Sequence, residues 1–373
     1  MCSKKVAGIA LFLNGVILVA LGVIIGLLLP NMTLEAIEEA TCVNSKDSSG
    51  YKLWEGPHNY TTKVYIWNIT NKEGFIYRGE KPQLVERGPY VYSITSKQVN
   101  VKFEKGQVTS TTFEQAKFNK TLTEKECPTC REDDELTILD TVYIGSSEQT
   151  ISLLQSLNYG LTTTRKQSEI TLGYSYMPEF GISVPGLVTS HANETEAKKF
   201  GTNSTFYTCE SEEGDRFTFA AIAGESKVNK NFFPYASPEQ LKIRGYYLQF
   251  PGVESLKACQ TKYTPLAKSY ELFIADFYLA FPFTYKEDVE IHDIPMHKYV
   301  LKKSALEVNN VTLFTRGVFD TSGVMRAPIY VSLPRFLYGD PSLNKDLDLP
   351  LPDEEEHGSY VSEVRNLSVL LTD

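Results

Sequence analysis

The chain opens with one long apolar run and then turns to short, alternating ones. From Val6 to Leu29, 24 residues, nothing is charged and only Asn14 is strongly polar. At helical rise such a run covers about 36 Å, enough to cross a bilayer with some tilt. Lys4 and Lys5 precede it, whereas Glu35, Glu38 and Glu39 follow. The positive-inside rule then leaves residues 1–5 in the cytosol, makes 6–29 one transmembrane helix and places 30–373 outside the cytosol. The run is too long for a signal-peptide core, and no small-residue cleavage pattern follows Pro30.

Beyond the span, Leu34–Ala40 reads as a continuing helix, and the pattern then changes to strand-like alternation. Such runs are Val64–Trp67, Tyr90–Ile94, Val99/Val101/Phe103, Arg216–Phe219, Tyr246–Phe250, Lys298–Leu301, Val311–Phe314 and Ile329–Leu333. Gly, Pro and Asn punctuate them. One helical pattern interrupts the series. Ser146 and Gln149 form a capping box, Ile151, Leu154 and Leu157 line one face, and Gly160 can close it. The fold class expected is therefore mainly β with α: antiparallel strands with a helical insert over about 146–173, behind an N-terminal membrane helix. The longest later apolar stretch, Leu272–Phe283, contains Asp276 and predicts no second span.

Charge narrows the function. With 37 basic against 46 acidic residues the net charge is −9, which excludes a basic groove for nucleic acid. Eight Asn-x-Ser/Thr sequons all follow the span, as a translocated glycoprotein requires. Asn31 lies close to the bilayer and Asn366 near the chain end. The sites expected to carry glycans are Asn59, Asn68, Asn119, Asn193, Asn203 and Asn310.

Cysteines agree on an oxidising compartment. Five follow the span, and proximity in loop-like surroundings predicts Cys127–Cys130 and Cys209–Cys259, leaving Cys42 over. Cys127-Pro-Thr-Cys130 lacks the second cysteine pair of a zinc knuckle and the strand and helix flanks of a thioredoxin-type site, so it reads first as a structural bridge, with redox chemistry as the lesser alternative. Cys2, on the cytosolic side, suits palmitoylation or is a free thiol. Gly8, Gly15 and Gly22 recur every seven residues, and Gly22 with Gly26 forms GxxxG. That stripe fits a homo-oligomer or the plain abundance of glycine in membrane helices.

No catalytic set converges. Asp320-Thr-Ser-Gly323 has no second carboxylate loop to share a proton with and reads as a turn. Gly181–Gly186 has the wrong spacing for a nucleophile elbow. His292 and His297 read as surface histidines, and Asp353-Glu-Glu-Glu-His357 as a solvated acidic loop. Neither an enzyme, a metal nor a cofactor is expected.

Asn68-Ile-Thr-Asn71, Gly79-Glu-Lys-Pro82 and Val85-Glu-Arg-Gly-Pro-Tyr-Val-Tyr92 together resemble the signature of the class B scavenger receptors. That family includes the fatty-acid translocase and the lysosomal integral membrane protein. Pro328–Tyr338 and Pro352–His357 with Tyr360 are similar to it too. The resemblance implies a barrel-like ectodomain of antiparallel strands capped by a helical apex, with a lipid-conducting tunnel. It implies lipid, lipoprotein or protein-cargo ligands docking at that apex, here residues 146–173, where Arg165 and Lys166 form a basic pair suited to anionic ligands. The location implied is the plasma membrane or, alternatively, the lysosomal membrane with a lumenal hydrolase as cargo. Two departures stand out. The family's second membrane helix has no counterpart before Asp373, so the chain is expected to be truncated at its C-terminus. The family's cysteine cluster ahead of the Pro-Ile-Tyr strand is also absent.

Overall fold

The structure is a computed structural model and describes residues 14–26, 28, 32, 42–178, 181–201, 203–211, 219–222, 225–226, 269–274, 279–291, 293–307, 313–320, 330–345, 347, 349–353 and 360–364. Cys2, Leu34–Ala40, Tyr246–Phe250, Cys259, His292 and Asn310 therefore lie outside the described residues. Residues 14–26 are helical, with large exposed side chains such as Leu18 and Val19. Among the described residues no helix is long and apolar enough to cross a membrane.

The first folded element is α1 (Ser49–Glu55), started by Ser48, whose hydroxyl accepts from the Tyr51 N–H. Next come β1 (His58–Ile69), α2 (Lys72–Tyr77), β2 (Leu84–Glu104) and β3 (Gln107–Phe118). The two expected strands at Tyr90–Ile94 and Val99–Phe103 are one 21-residue strand. Tyr90, Tyr92 and Ile94 alternate into the main core, and the phase changes before Val99, which packs instead with Phe113 and Ala197. Lys105 and Gly106 turn β2 into β3 with φ of 49° and 73°. Two consecutive left-handed residues match the twist of the strands they join.

Tyr90 and Tyr92 are fully buried. Burying each ring contributes on the order of 2 kcal/mol. The gain survives because each hydroxyl has a partner: Tyr90 donates to Asp134 Oδ2 at 2.9 Å and Tyr92 to Gln167 Oε1 at 3.0 Å. Around them Val64, Ile66, Ile94, Cys130, Leu136 and Ile170 form the main core.

After β3 the chain leaves the sheet through α3 (Lys120–Glu126), β4 (Glu135–Leu139), α4 (Thr141–Ile144), α5 (Glu148–Ser156), β5 (Thr162–Lys166), α6 (Gln167–Leu172), β6 (Gly173–Met177), β7 (Ile182–Pro185) and α7 (Glu194–Phe200). It returns as β8 (Asn203–Tyr207), followed by β9 (Phe219–Ile222) and β10 (Glu225–Ser226). The resulting sheet runs β1-β2-β3-β8-β9-β10. A second sheet joins β11 (Ser269–Ile274), β12 (Leu279–Ile291), β13 (Ile294–Leu301) and β17 (Tyr360–Val364) in that order. A third holds β14 (Leu313–Thr315), β15 (Val318–Asp320) and β16 (Tyr330–Ser332). Phe283, Tyr299, Leu301, Leu306 and Phe319 make the core between them.

Three expectations need correction. Mainly antiparallel β with helices holds, but the described strands form open sheets and do not close into a barrel. Closure would need an end strand to pair back across its sheet, and β1 pairs with β2 on one side while β10 pairs with β9. Asp320 ends β15 opposite Tyr330 and is not a turn residue. His297 is half-buried, its Nδ1 2.6 Å from Asp288 Oδ1, because β13 places it directly across from that residue.

Cysteine pairing also differs. Cys127 and Cys130 are bonded, but Cys209 joins Cys42 across 167 residues and not Cys259. Proximity along the chain misleads here because sheet register decides the partner. Pairing of β8 with β3 sets Tyr207 opposite Gln107, and the Thr208 N–H donates to Gly106 O at 2.8 Å. At that same end of the hairpin α1 docks, with Tyr51 against Phe103 at 5.9 Å between ring centroids. Cys42, just ahead of α1, thus arrives at Cys209 with Cα atoms 5.5 Å apart, and Asn44 Nδ2 donates to Glu210 Oε1 beside them.

Candidate functional site

The expected helical apex is a small α/β unit. α5 is capped by Ser147, one residue later than expected, its hydroxyl accepting from the Thr150 N–H. It ends at Leu157 and not through Gly160. Asn158 takes the left-handed conformation (φ 64°). Asn158 N–H donates to Gln155 O at 3.0 Å and Tyr159 N–H to Leu154 O at 2.9 Å, the pair of bonds that closes a helix in a Schellman motif. Asparagine tolerates that conformation because its short polar side chain bonds locally. Leu154 is buried against Tyr176 and Met177, while Leu153 and Leu157, one turn apart, are exposed at 54% and 42%. Leu139 and Ile144 expose similar fractions nearby in the chain.

Asp140 organises the unit. It is 1% exposed, and its Oδ1 accepts from the Tyr143 N–H to start α4. Its Oδ2 accepts from the Tyr176 hydroxyl at 2.9 Å. Burial, with the hydrogen bond to Asp140 second, pushes the Tyr176 hydroxyl far above the usual tyrosine range. The Tyr159 ring lies 4.7 Å from that of Tyr176, and its hydroxyl donates to the Tyr176 carbonyl. A phenol held neutral by a carboxylate fixes structure; it offers no base or nucleophile at neutral pH. Nothing in the spacing of Asp140 and Tyr176 announces this pair beyond an Asp placed before a short helix.

Arg165 and Lys166 lie on β5, not on a helix. Consecutive strand residues face opposite ways, so the structure separates what sequence made a pair. The Arg165 guanidinium sits 4.5 Å from the Tyr174 ring centroid, and its Nε is buried without a hydrogen-bond partner. Burial raises the Tyr174 hydroxyl as well. Lys166 is exposed, and its N–H donates to Glu169 Oε2 at 3.0 Å at the start of α6. Among the described residues no group of three or more His, Cys, Asp or Glu side chains could hold a metal.

The sequon asparagines divide by environment. Asn59, Asn193 and Asn203 are exposed. Asn68 and Asn119 are half-buried: Asn68 Oδ1 accepts from the Thr137 N–H at 2.8 Å, and Asn119 Oδ1 accepts from the Leu122 N–H while its Nδ2 donates to Ser93.

Among the described residues, open antiparallel sheets, two disulfides and an α/β unit with apolar side chains on its surface define a crosslinked, mainly β module. Residues 13–371 match the CD36 family, and the chain belongs to it. It is similar to sensory neuron membrane protein 2 of Anopheles gambiae, 33% identical over 128 residues, 34% of this chain and 22% of that protein. Against scavenger receptor class B member 1 of Bos taurus it is 31% identical over 102 residues, 27% of this chain and 20% of that protein. With sensory neuron membrane protein 2 of Heliothis virescens it shares 22% identity over 363 residues, 85% of this chain and 69% of the relative. The first two alignments thus span about a fifth of those relatives' length.

Proposed function

We propose that this protein is a membrane-anchored, N-glycosylated receptor for lipid or lipoprotein ligands. The observation that carries the reading is the family match over residues 13–371, joined by similarity to a protein named as a scavenger receptor. Anchoring rests on the uncharged run 6–29 with Lys4 and Lys5 on one flank and glutamates on the other. Ligand capture is assigned to the α4–α5 surface, where Leu153 and Leu157 are exposed on one helix face. Apolar ligand would be held largely by removing hydrocarbon from water, about 0.8 kcal/mol per buried methylene. Of the basic pair, Lys166 is the exposed charge available to an anionic headgroup, whereas Arg165 supports Tyr174.

Cells expressing the full chain, incubated with fluorescent phosphatidylserine–phosphatidylcholine vesicles, test the reading. Binding above mock-transfected cells is expected, with loss in Leu153→Asp/Leu157→Asp and partial loss in Lys166→Glu. Binding equal to mock, with the protein at the surface and Cys42–Cys209 formed, refutes the receptor assignment. Equal binding by the parent and the double Asp variant moves the site off α5.

A further inference from the structure

The loop after α3 is held by a set of hydrogen bonds in addition to its disulfide. Cys127 caps the helix, its N–H donating to Thr123 O at 2.7 Å, and the Cys130 N–H donates to Cys127 O at 3.0 Å. Arg131 Nη1 donates to the carbonyls of Pro128 and Cys130, each at 2.8 Å. The Arg131 N–H donates to Asp134 Oδ2 at 3.1 Å, and Asp134 is itself held by Tyr90 and Arg87. None of these contacts passes through sulfur. Opening the S–S bond would leave two thiols three residues apart with all of these hydrogen bonds still available.

Access to the two sulfurs is unequal. Cys130 is 0% exposed and belongs to the main core. Cys127 is half-buried at the edge of that core, followed by the exposed Pro128 and Thr129, with its Sγ 3.8 Å from Thr129 Oγ1. Thiol–disulfide exchange needs a thiolate to reach one sulfur and the other to leave. The Arg131 guanidinium, held on the Pro128 and Cys130 carbonyls and 3.9 Å from Glu124 Oε1, is the positive group of this loop. In Cys42–Cys209 one sulfur is also half-buried, but those residues are 167 apart and are brought together only by packing of α1 and β8.

We propose that Cys127–Cys130 is a thiol–disulfide exchange site with Cys127 as the sulfur attacked and a dithiol as co-reactant. One thiolate of the dithiol bonds to Cys127 Sγ as the Cys127–Cys130 bond breaks, and Cys130 leaves as a thiolate. The second thiolate then attacks the dithiol's own sulfur in this mixed disulfide and releases Cys127. The dithiol ends as a disulfide, its two electrons and two protons ending on Cys127 and Cys130. In the reverse direction, the reduced pair passes them to an incoming disulfide.

The test uses the full chain purified in detergent under oxidising conditions. Folded protein is exposed to dithiothreitol, quenched with N-ethylmaleimide and mapped by peptide mass spectrometry. The Cys127–Cys130 pair is expected to open while the Cys42–Cys209 peptides stay linked, and to close again in oxidised glutathione. Native Cys130→Ser protein should take a glutathione adduct on Cys127, whereas Cys127→Ser should take none on Cys130 until denatured. Retention of the Cys42–Cys209 link reports that each variant has folded. Opening of both bridges only on denaturation, failure to close again, or an adduct on Cys130 in folded Cys127→Ser would overturn the proposal. If the variants do not fold, the wild-type mapping decides alone.

Discussion

Arg335 Nη2 lies 2.6 Å from Glu86 Oε2, a charge pair joining residues 249 apart in the chain. The two side chains are 20% and 29% exposed, so solvent screens them only in part. Arg335 holds this position with a φ of 53°, and Phe336 and Tyr338 are also left-handed. That conformation costs a non-glycine residue about 1–2 kcal/mol.

Two substitutions at Arg335 separate the pair from the strain. Arg335→Ala should destabilise by about 1.5–3 kcal/mol, the range for a charged hydrogen bond. Arg335→Gly loses the same bond but relaxes the backbone, although it also adds freedom to the unfolded chain. Glycine should therefore be less harmful than alanine by up to about 1 kcal/mol. Denaturant midpoints of the two variants check the order.

The disulfides should differ in what they hold. In the chain-entropy account, closing a loop of 167 residues contributes about 5 kcal/mol and one of three about 2 kcal/mol. Cys42→Ser/Cys209→Ser should then lower stability well beyond Cys127→Ser/Cys130→Ser. Thermal unfolding of both double variants, read side by side, gives the comparison.

Alkaline pH should weaken the fold. Burial, then the bond to Asp134, pushes the Tyr90 hydroxyl up to about 12; burial, then Glu55, does the same to Tyr51. The unfolded chain releases these protons near the ordinary value of about 10. Their contribution is thus complete below about pH 10 and is lost as pH rises from there through about 12. A tenfold difference in proton affinity between the folded and unfolded chain is worth about 1.4 kcal/mol, so the loss per tyrosine is a few kcal/mol at most. Tyr90→Phe should flatten the fall in stability above pH 10, measured by denaturant titration at successive pH values.

Asn193 serves α7 as well as a sequon. Its Oδ1 accepts from the Glu196 N–H at 3.0 Å, while Glu196 accepts from the Ala192 N–H. Asn193→Gln and Thr195→Ala both destroy the sequon, and each should remove one glycan step on a gel. Only the first removes the helix cap, at about 1 kcal/mol. Equal stability of the two variants would show that the cap contributes nothing measurable.

Local signals were legible where one residue settles one conformation. The helix pattern around Leu154, the strand at Val64–Trp67 and the Cys127–Cys130 bridge each depend on neighbours within a few positions. Boundaries slipped by one or two residues because Ser146 and Ser147 are chemically equal caps and Asn158 can do the work expected of Gly160. The Asp140–Tyr176 bond, Cys42–Cys209 and Arg335–Glu86 stayed out of sight.

By itself the sequence determined the class of strand-rich chain, the uncharged run 6–29, the positions of the sequons and the motifs that resemble one receptor family. Periodicity, charge and short motifs carry that information because each acts over a turn of helix or a few strand residues. Tertiary structure alone decided that Cys209 meets Cys42, that Arg165 and Lys166 face apart on β5, and that Cys130 is sealed in the core while Cys127 lies at its edge. These depend on which strands pair and which faces pack, relations between residues far apart in the chain that no short stretch of sequence carries.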